Sequence, residues 1–260
     1  MNIVDPDDPN RRTLTDAPLN LGDQTPTAGI ALGDLDDDGD LDISTANSAG
    51  AANAYYLNAG DASFTMFLLG VETTISNAVA IGDIDGDMLA DDIVFASSSP
   101  NLVYTNLGGA TFGTAENLGD AMSVDVVLVD LFGDSLPELV FANSDGDASV
   151  YANNNGSFTL ELMLPTGPTT SVSTALFDPD GRRDLVFGRD VTEPAGGPPS
   201  NLIYLNTSIG TGSFFLADEI GSSTTIDVLT ADINLDGDQD IVAINATGGH
   251  QIYVNDGNAR

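Results

Sequence analysis

Short runs of β-branched, aromatic and other apolar residues alternate along this chain with clusters of Asp, Gly and Asn, and the alternation repeats. One apolar run comes first in each unit: Gly29 to Leu32, Val79 to Ile81, Val126 to Val129, Val172 to Ala175 and Val228 to Ala231. An acidic loop follows, then a second run: Ile43 to Thr45, Ile93 to Phe95, Leu139 to Phe141, Leu185 to Phe187 and Ile241 to Ile244. A Tyr-x-Asn comes next, at Tyr56–Asn58, Tyr104–Asn106, Tyr151–Asn153, Tyr204–Asn206 and Tyr253–Asn255. Then come a phenylalanine (Phe64, Phe112, Phe158, Phe214) and, in several units, a closing Leu-Gly or Ile-Gly at Gly22, Gly70, Gly119 and Gly221. Such runs, broken by Gly, Asn and Asp, predict strands and turns, and no helical period competes with them. The acidic loops begin at 34, 83, 130, 176 and 232, in steps of 49, 47, 46 and 56 residues. About four short strands per step make one blade of a propeller, a four-stranded sheet packed radially on its neighbours. The expected fold is therefore all-β: a β-propeller of about five four-stranded blades.

The loops between the first two strands carry the chemistry. In the first, Asp34, Asp36, Asp38, Asp40 and Asp42 surround Gly39. Alternate carboxylates, a backbone carbonyl at the seventh position and a glycine for the tight turn are how a chain wraps a hard cation. The fifth loop is as complete, with Asp232, Asn234, Asp236, Asp238 and Asp240. The second has Asp83, Asp85 and Asp87, and then two candidates for the ninth position. Ligand spacing favours Asp91, whereas alignment of the apolar run that follows favours Asp92. The third keeps Asp130, Asp134 and Glu138 but has Phe132 in place of the second ligand. The fourth starts with Leu176 and keeps Asp178, Asp180 and Asp184 around Arg182-Arg183. A guanidinium there is expected to neutralise Asp178 and Asp180 in place of a metal; the alternative is two exposed arginines beside an occupied site. Calcium is favoured over magnesium, which demands stricter octahedral geometry and keeps its waters. Three calcium sites are expected, and up to five.

The repeated Asp-x-Asp-x-Asp-Gly-x-x-Asp core followed by a strand resembles the FG-GAP/VCBS repeat family, whose calcium-loop blades also occur in integrin α-subunit heads. The resemblance runs from about residue 12 to 257. It implies a β-propeller with calcium in the loop joining the first two strands of a blade, and a role in adhesion.

The ends are complementary. Residues 12–22 match the phase of Phe64 to Gly70, a last strand without its blade, while the fifth unit stops after its third strand. The N-terminal strand is expected to complete the last blade and close the ring, leaving 1–11 as a tail and 12–260 as one propeller domain; the alternative is a piece of a larger ring. Met1 to Asn10 do not read as a signal peptide. Arg189 to Ser200, rich in Pro and Gly, is expected to be a loop.

Composition narrows the function. The chain has 40 acidic residues against six basic ones, all arginine, for a net charge of −34. Even five divalent ions would leave most of that charge, which argues against nucleic acid and anionic membranes as partners. It suits an extracellular or cell-surface, salt-rich setting. There is no cysteine, so metal is the available staple, and no apolar run is long enough to insert in a membrane. The only histidine, His250, is expected in a surface turn, and no nucleophile motif accompanies it. The tyrosines and phenylalanines keep a fixed phase and are expected to pack between blades. Asn155, Asn206 and Asn245 head glycosylation patterns. The expected function is a non-enzymatic binding or adhesion module for a protein or glycan. The alternatives are a carbohydrate-binding or carbohydrate-cleaving propeller, and a structural domain that self-associates or acts as a spacer.

Overall fold

The computed structural model describes residues 3–5, 8–13, 21, 25–61, 63–71, 73–190, 199–208, 210 and 212–257. Among these there is no helix. Two N-terminal strands, β1 (Ile3–Asp5) and β2 (Asp8–Thr13), pair among the described residues only with each other. Five antiparallel meanders follow. The first is β3 (Thr27–Gly33), β4 (Asp42–Asn47), β5 (Asn53–Asn58) and β6 (Phe64–Leu69). The second is β7 (Ser76–Gly82), β8 (Asp92–Ser97), β9 (Asn101–Tyr104) and β10 (Glu116–Leu118). The third is β11 (Ser123–Val129), β12 (Glu138–Asn143), β13 (Ala148–Asn154) and β14 (Ser157–Leu164). The fourth is β15 (Ser171–Ala175), β16 (Asp184–Gly188), β17 (Asn201–Asn206) and β18 (Phe214–Ile220). The fifth has three strands, β19 (Thr225–Ala231), β20 (Asp240–Asn245) and β21 (Gln251–Tyr253). Every repeated apolar run therefore lies on a strand. Phe112 is the exception in its set: it makes only an isolated bridge to Asn106, and β10 starts later.

The sheets stack like propeller blades. Each first strand contacts the first strand of the next sheet, from β3 to β7, β11, β15 and β19 in turn. The second strands explain their sequences. β8, β12 and β16 are buried at every residue, because a neighbouring blade covers each face, so they read as continuous apolar runs instead of alternating ones. Phe95, Phe141 and Phe187 occupy one equivalent place in these strands. Each meets its own blade's tyrosine edge to face, with ring centroids 6.1 Å (Tyr104), 5.8 Å (Tyr151) and 6.0 Å (Tyr204) apart. The tyrosines also reach the preceding blade. Gly119 and Gly221 have positive φ, and a Cβ on either would collide with the hydroxyl of Tyr151 or Tyr253 in the next blade. The closing glycine thus satisfies both a left-handed turn and a close approach. The aromatic residues serve packing, as their phase predicted.

The series has two ends. No extensive contact joins β19 back to β3 among the described residues. The inner-strand face that each blade turns to its predecessor is exposed in the first, at Ile30 (68%) and Leu32 (58%), whereas the equivalent Val126 is 5% exposed. The segment expected to close the ring, 12–22, lies mostly outside the described residues, as does most of the expected loop, residues 191–198.

Candidate metal centre

Each acidic loop begins as its blade's first strand ends and finishes as the second begins, so its ninth-position acid sits at the mouth of a buried strand. That acid acts as a clasp. In the first loop one Asp42 oxygen accepts the Leu35 N–H (2.7 Å) and the other accepts the Asn58 N–H (2.7 Å), which belongs to the Tyr-x-Asn. Asp92 does the same with Ile84 and Asn106 (2.9 and 2.7 Å), Asp184 with Phe177 and Asn206 (2.8 and 2.9 Å), and Asp240 with Ile233 and Asn255 (3.0 and 2.8 Å). In the third loop the longer Glu138 turns one oxygen to both Leu131 and Phe132 N–H (2.8 and 3.2 Å) and interacts more weakly with the Asn153 N–H.

The Tyr-x-Asn amide completes a second connection. Asn106 donates to the Leu35 carbonyl of the preceding blade (2.7 Å), Asn153 to Ile84 (2.8 Å), Asn206 to Leu131 (2.8 Å) and Asn255 to Phe177 (3.2 Å). The second residue of each of these loops therefore gives its N–H to its own clasp and its carbonyl to the next blade. Among the described residues the amide of Asn58, in the first blade, reaches only Leu41 within its own loop. The Tyr-x-Asn repeat was visible in the sequence; this use of its asparagine was not, and the clue was its fixed phase behind every loop.

Within the loops the first-position aspartates accept N–H groups from the turn: Asp34 from Asp38 and Gly39, Asp83 from Gly86 and Met88, Asp130 from Gly133 and Ser135, Asp232 from Asp236 and Gly237. Asp38, Asp85, Asp87, Asp134 and Asp236 accept from residues two positions on. These bonds curl the backbone around a small space. In two loops, three carboxylates each bring an oxygen within 4.8 Å of the others: Asp34, Asp36 and Asp42, and Asp83, Asp85 and Asp92. The second trio contains Asp92; Asp91 is outside it, buried, with Oδ2 lacking a partner. An extra residue in this loop separates the ninth position counted by spacing from the one at the mouth of β8. In the fifth loop Asn234, an amide, stands where the first trio has Asp36 and donates to Asp236 (2.7 Å), while Asp238 stands half-buried beside Gly257. Asp40 likewise lies outside the first trio, against Gly60.

The donor set fits a divalent cation. Asp36 Oδ1 in the first trio is buried and has no hydrogen-bond partner. Burial, then repulsion from Asp38 and Asp42, pushes the Asp36 carboxyl up. A crowded, partly desolvated set of oxygens without a cationic side chain is what a bound hard ion would stabilise.

Burial also raises Asp92 and Asp184 to about 6 and Glu138 and Asp91 to about 7, against 3.8 for a free aspartate and 4.5 for glutamate. Between those limits the folded, metal-free chain binds more protons than the unfolded chain, so its stability falls as pH rises. Calcium-stripped protein should therefore melt at a lower temperature at pH 7 than at pH 5, and calcium should remove or reverse that difference. A metal-free melting temperature that is flat or rising across the interval would contradict this.

His250 is exposed in a turn, with Nδ1 accepting the Asn245 N–H (3.2 Å). Asn206 and Asn245 are buried and hydrogen-bonded inside the blades, which leaves Asn155, exposed, as the accessible acceptor of the three.

Residues 130–187 match the FG-GAP-like repeat family. No curated protein sequence matches the chain significantly. Solved structures of similar shape include an Agrocybe aegerita lectin described as specifically recognising non-reducing terminal N-acetylglucosamine. It is 19% identical at a TM-score of 0.58, over 90% of this chain and 64% of that one. They also include BBS1N in complex with ARL6DN, in crystals soaked with lead or with mercury, 11% and 12% identical at a TM-score of 0.59, over 87% of this chain and 66% of those. The chain thus spans just under two thirds of the length of these structures, and at such identity the likeness is one of fold.

Proposed function

From a chain that carries an FG-GAP-like repeat at 130–187, we propose an extracellular, calcium-stapled β-propeller that serves as a non-enzymatic binding or adhesion module. The observation that carries this reading is the pair of carboxylate trios, one with a buried, unpartnered oxygen. Asp34, Asp36 and Asp42, and Asp83, Asp85 and Asp92, would hold the ions. A bound calcium supplies positive charge where the carboxylates repel one another. The net charge of −34 fits an exported protein in a salt-rich medium, and no helix among the described residues is long and apolar enough to cross a membrane.

The reading includes closure of the ring. Among the described residues β21 lacks an outer neighbour, Asn58 lacks the inter-blade acceptor its counterparts have, and the first blade leaves Ile30 and Leu32 exposed. The part of 12–22 that follows β2 would supply the missing strand.

Likeness to a lectin favours a glycan as the second reading of the ligand. A groove of about 630 Å³ between the first two blades, edged by the half-buried Phe112, is the place this reading assigns to it. Equilibrium dialysis with elemental analysis tests the metal. At least two calcium ions per chain are expected, with a loss on Asp36→Asn; a chain that retains none overturns the staple. A glycan array probed in calcium and again in chelator separates the two ligand classes.

A further inference from the structure

The fourth loop departs from the other four in a way that suggests its own solution to the same electrostatic problem. Its first position is Leu176, 40% exposed, where the other loops place an aspartate that gathers the turn's N–H groups. No carboxylate trio forms there among the described residues. Arg182, at the position whose backbone carbonyl a calcium loop would use, folds back instead. Its Nη2 pairs with the Asp180 carboxylate, and its Nε donates to the Asn206 carbonyl at 2.7 Å. Its own N–H is accepted by Asp180 (2.8 Å).

Asn206 is the junction of the blade. The Asp184 clasp holds its N–H, and its amide reaches Leu131 of the third blade. A guanidinium between Asp180 and Asn206 therefore ties the loop to the corner that connects the two blades, where a planar multi-donor cation suits one carboxylate and one carbonyl. The neighbouring Arg183 is exposed and makes none of these contacts. The loop's charge agrees: Asp178, Asp180 and Asp184 face Arg182 and Arg183, whereas the first loop has six aspartates and no base.

We propose that Arg182 is the resident cation of the fourth loop, so that this blade is held closed without calcium and takes none. The contrast with the other loops rests on their reading as calcium sites; the Arg182 contacts do not.

Three variants test the proposal: Arg182→Gln, Arg182→Lys, and Leu176→Asp combined with Arg182→Gln. In metal-free buffer, Arg182→Gln should speed amide hydrogen exchange at Asn206 at least tenfold and leave Asn58 unchanged, and Arg182→Lys, which keeps the charge, should recover part of the protection. The double variant completes the carboxylate pattern and should bind one calcium per chain more than the natural sequence. Asp180→Asn in the natural background should leave the calcium count unchanged. Unaltered exchange in Arg182→Gln, or a calcium lost with Asp180→Asn, overturns the proposal. Should no loop bind calcium, the staple reading fails, and the Arg182→Gln exchange still decides the role of the guanidinium.

Discussion

Saturating calcium should raise the melting temperature of this protein by on the order of 10–20 °C over the metal-stripped form at matched ionic strength. The figure follows from mass action. A ligand that binds only the folded state at a hundredfold over its dissociation constant adds about 2.7 kcal/mol per site, so two trios add about 5 kcal/mol. In a domain of this size each kcal/mol moves the midpoint by about 2–4 °C. Magnesium at the same concentration should give a smaller shift, because a loop that curls several oxygens inward suits a larger ion of flexible coordination. Matched ionic strength matters, since monovalent salt alone screens the repulsion within a chain of net charge −34. Identical melts in calcium and chelator, with no calcium retained, would mean that the loops are solvated turns closed by their own hydrogen bonds.

The second large effect belongs to the clasp and not to the metal. Asp184 is fully buried and accepts the N–H groups of Phe177 and Asn206. Its replacement by alanine leaves both donors buried without an acceptor and should cost about 3–5 kcal/mol. Asparagine keeps one acceptor but points an amide N–H₂ at the other donor, so Asp184→Asn should be destabilising by a smaller amount. Because the fourth loop holds no trio, both penalties should be the same in calcium and in chelator. The matching substitution at Asp42 removes a clasp and a trio member together and should cost more in calcium than without it. Urea unfolding of the four proteins under both conditions measures this directly. A penalty at Asp184 that disappears in chelator would place a metal where the guanidinium is proposed to sit.

The strands and loops were legible because their signals are local. A buried second strand needs an apolar run, and the turn before it needs glycine and short acceptors, so the repeat of both gives the blades almost residue by residue. The double duty of the ninth acid was not legible. Asp42 reads as a ligand by spacing, yet its buried place at the mouth of β4 and its bond to Asn58, 16 positions on, are set by how the strands of the blade meet. Asp91 and Asp92 show the same limit. Counting along the loop favours Asp91, but the position that meets both Ile84 and Asn106 is fixed by where β8 begins, and that is Asp92. Arg182 was conspicuous as a base inside an acidic loop; its hold on Asn206 needs a residue 24 positions away. The late start of β10 lies beyond the turn: Phe112 faces Asn106 as Phe64 faces Asn58, and the register then slips by one residue before Glu116 meets Val103.

The asparagine that reaches back from each of the last four blades to the second residue of the preceding loop has a thermodynamic consequence. That loop residue also holds the clasp, so whatever orders a loop orders the acceptor on which the next blade hangs. The protein then behaves as a one-dimensional array with a nearest-neighbour term, and ion binding enters through that term as well as through each unit's own free energy. Filling one loop should tighten the hydrogen-exchange protection of both neighbouring blades, of the one after through the loop's carbonyl and of the one before through the asparagine that the clasp holds. Occupancy of one loop would thus be felt by its neighbours on both sides, through pairs such as Leu35 with Asn106 and Ile84 with Asn153, with no conformational switch.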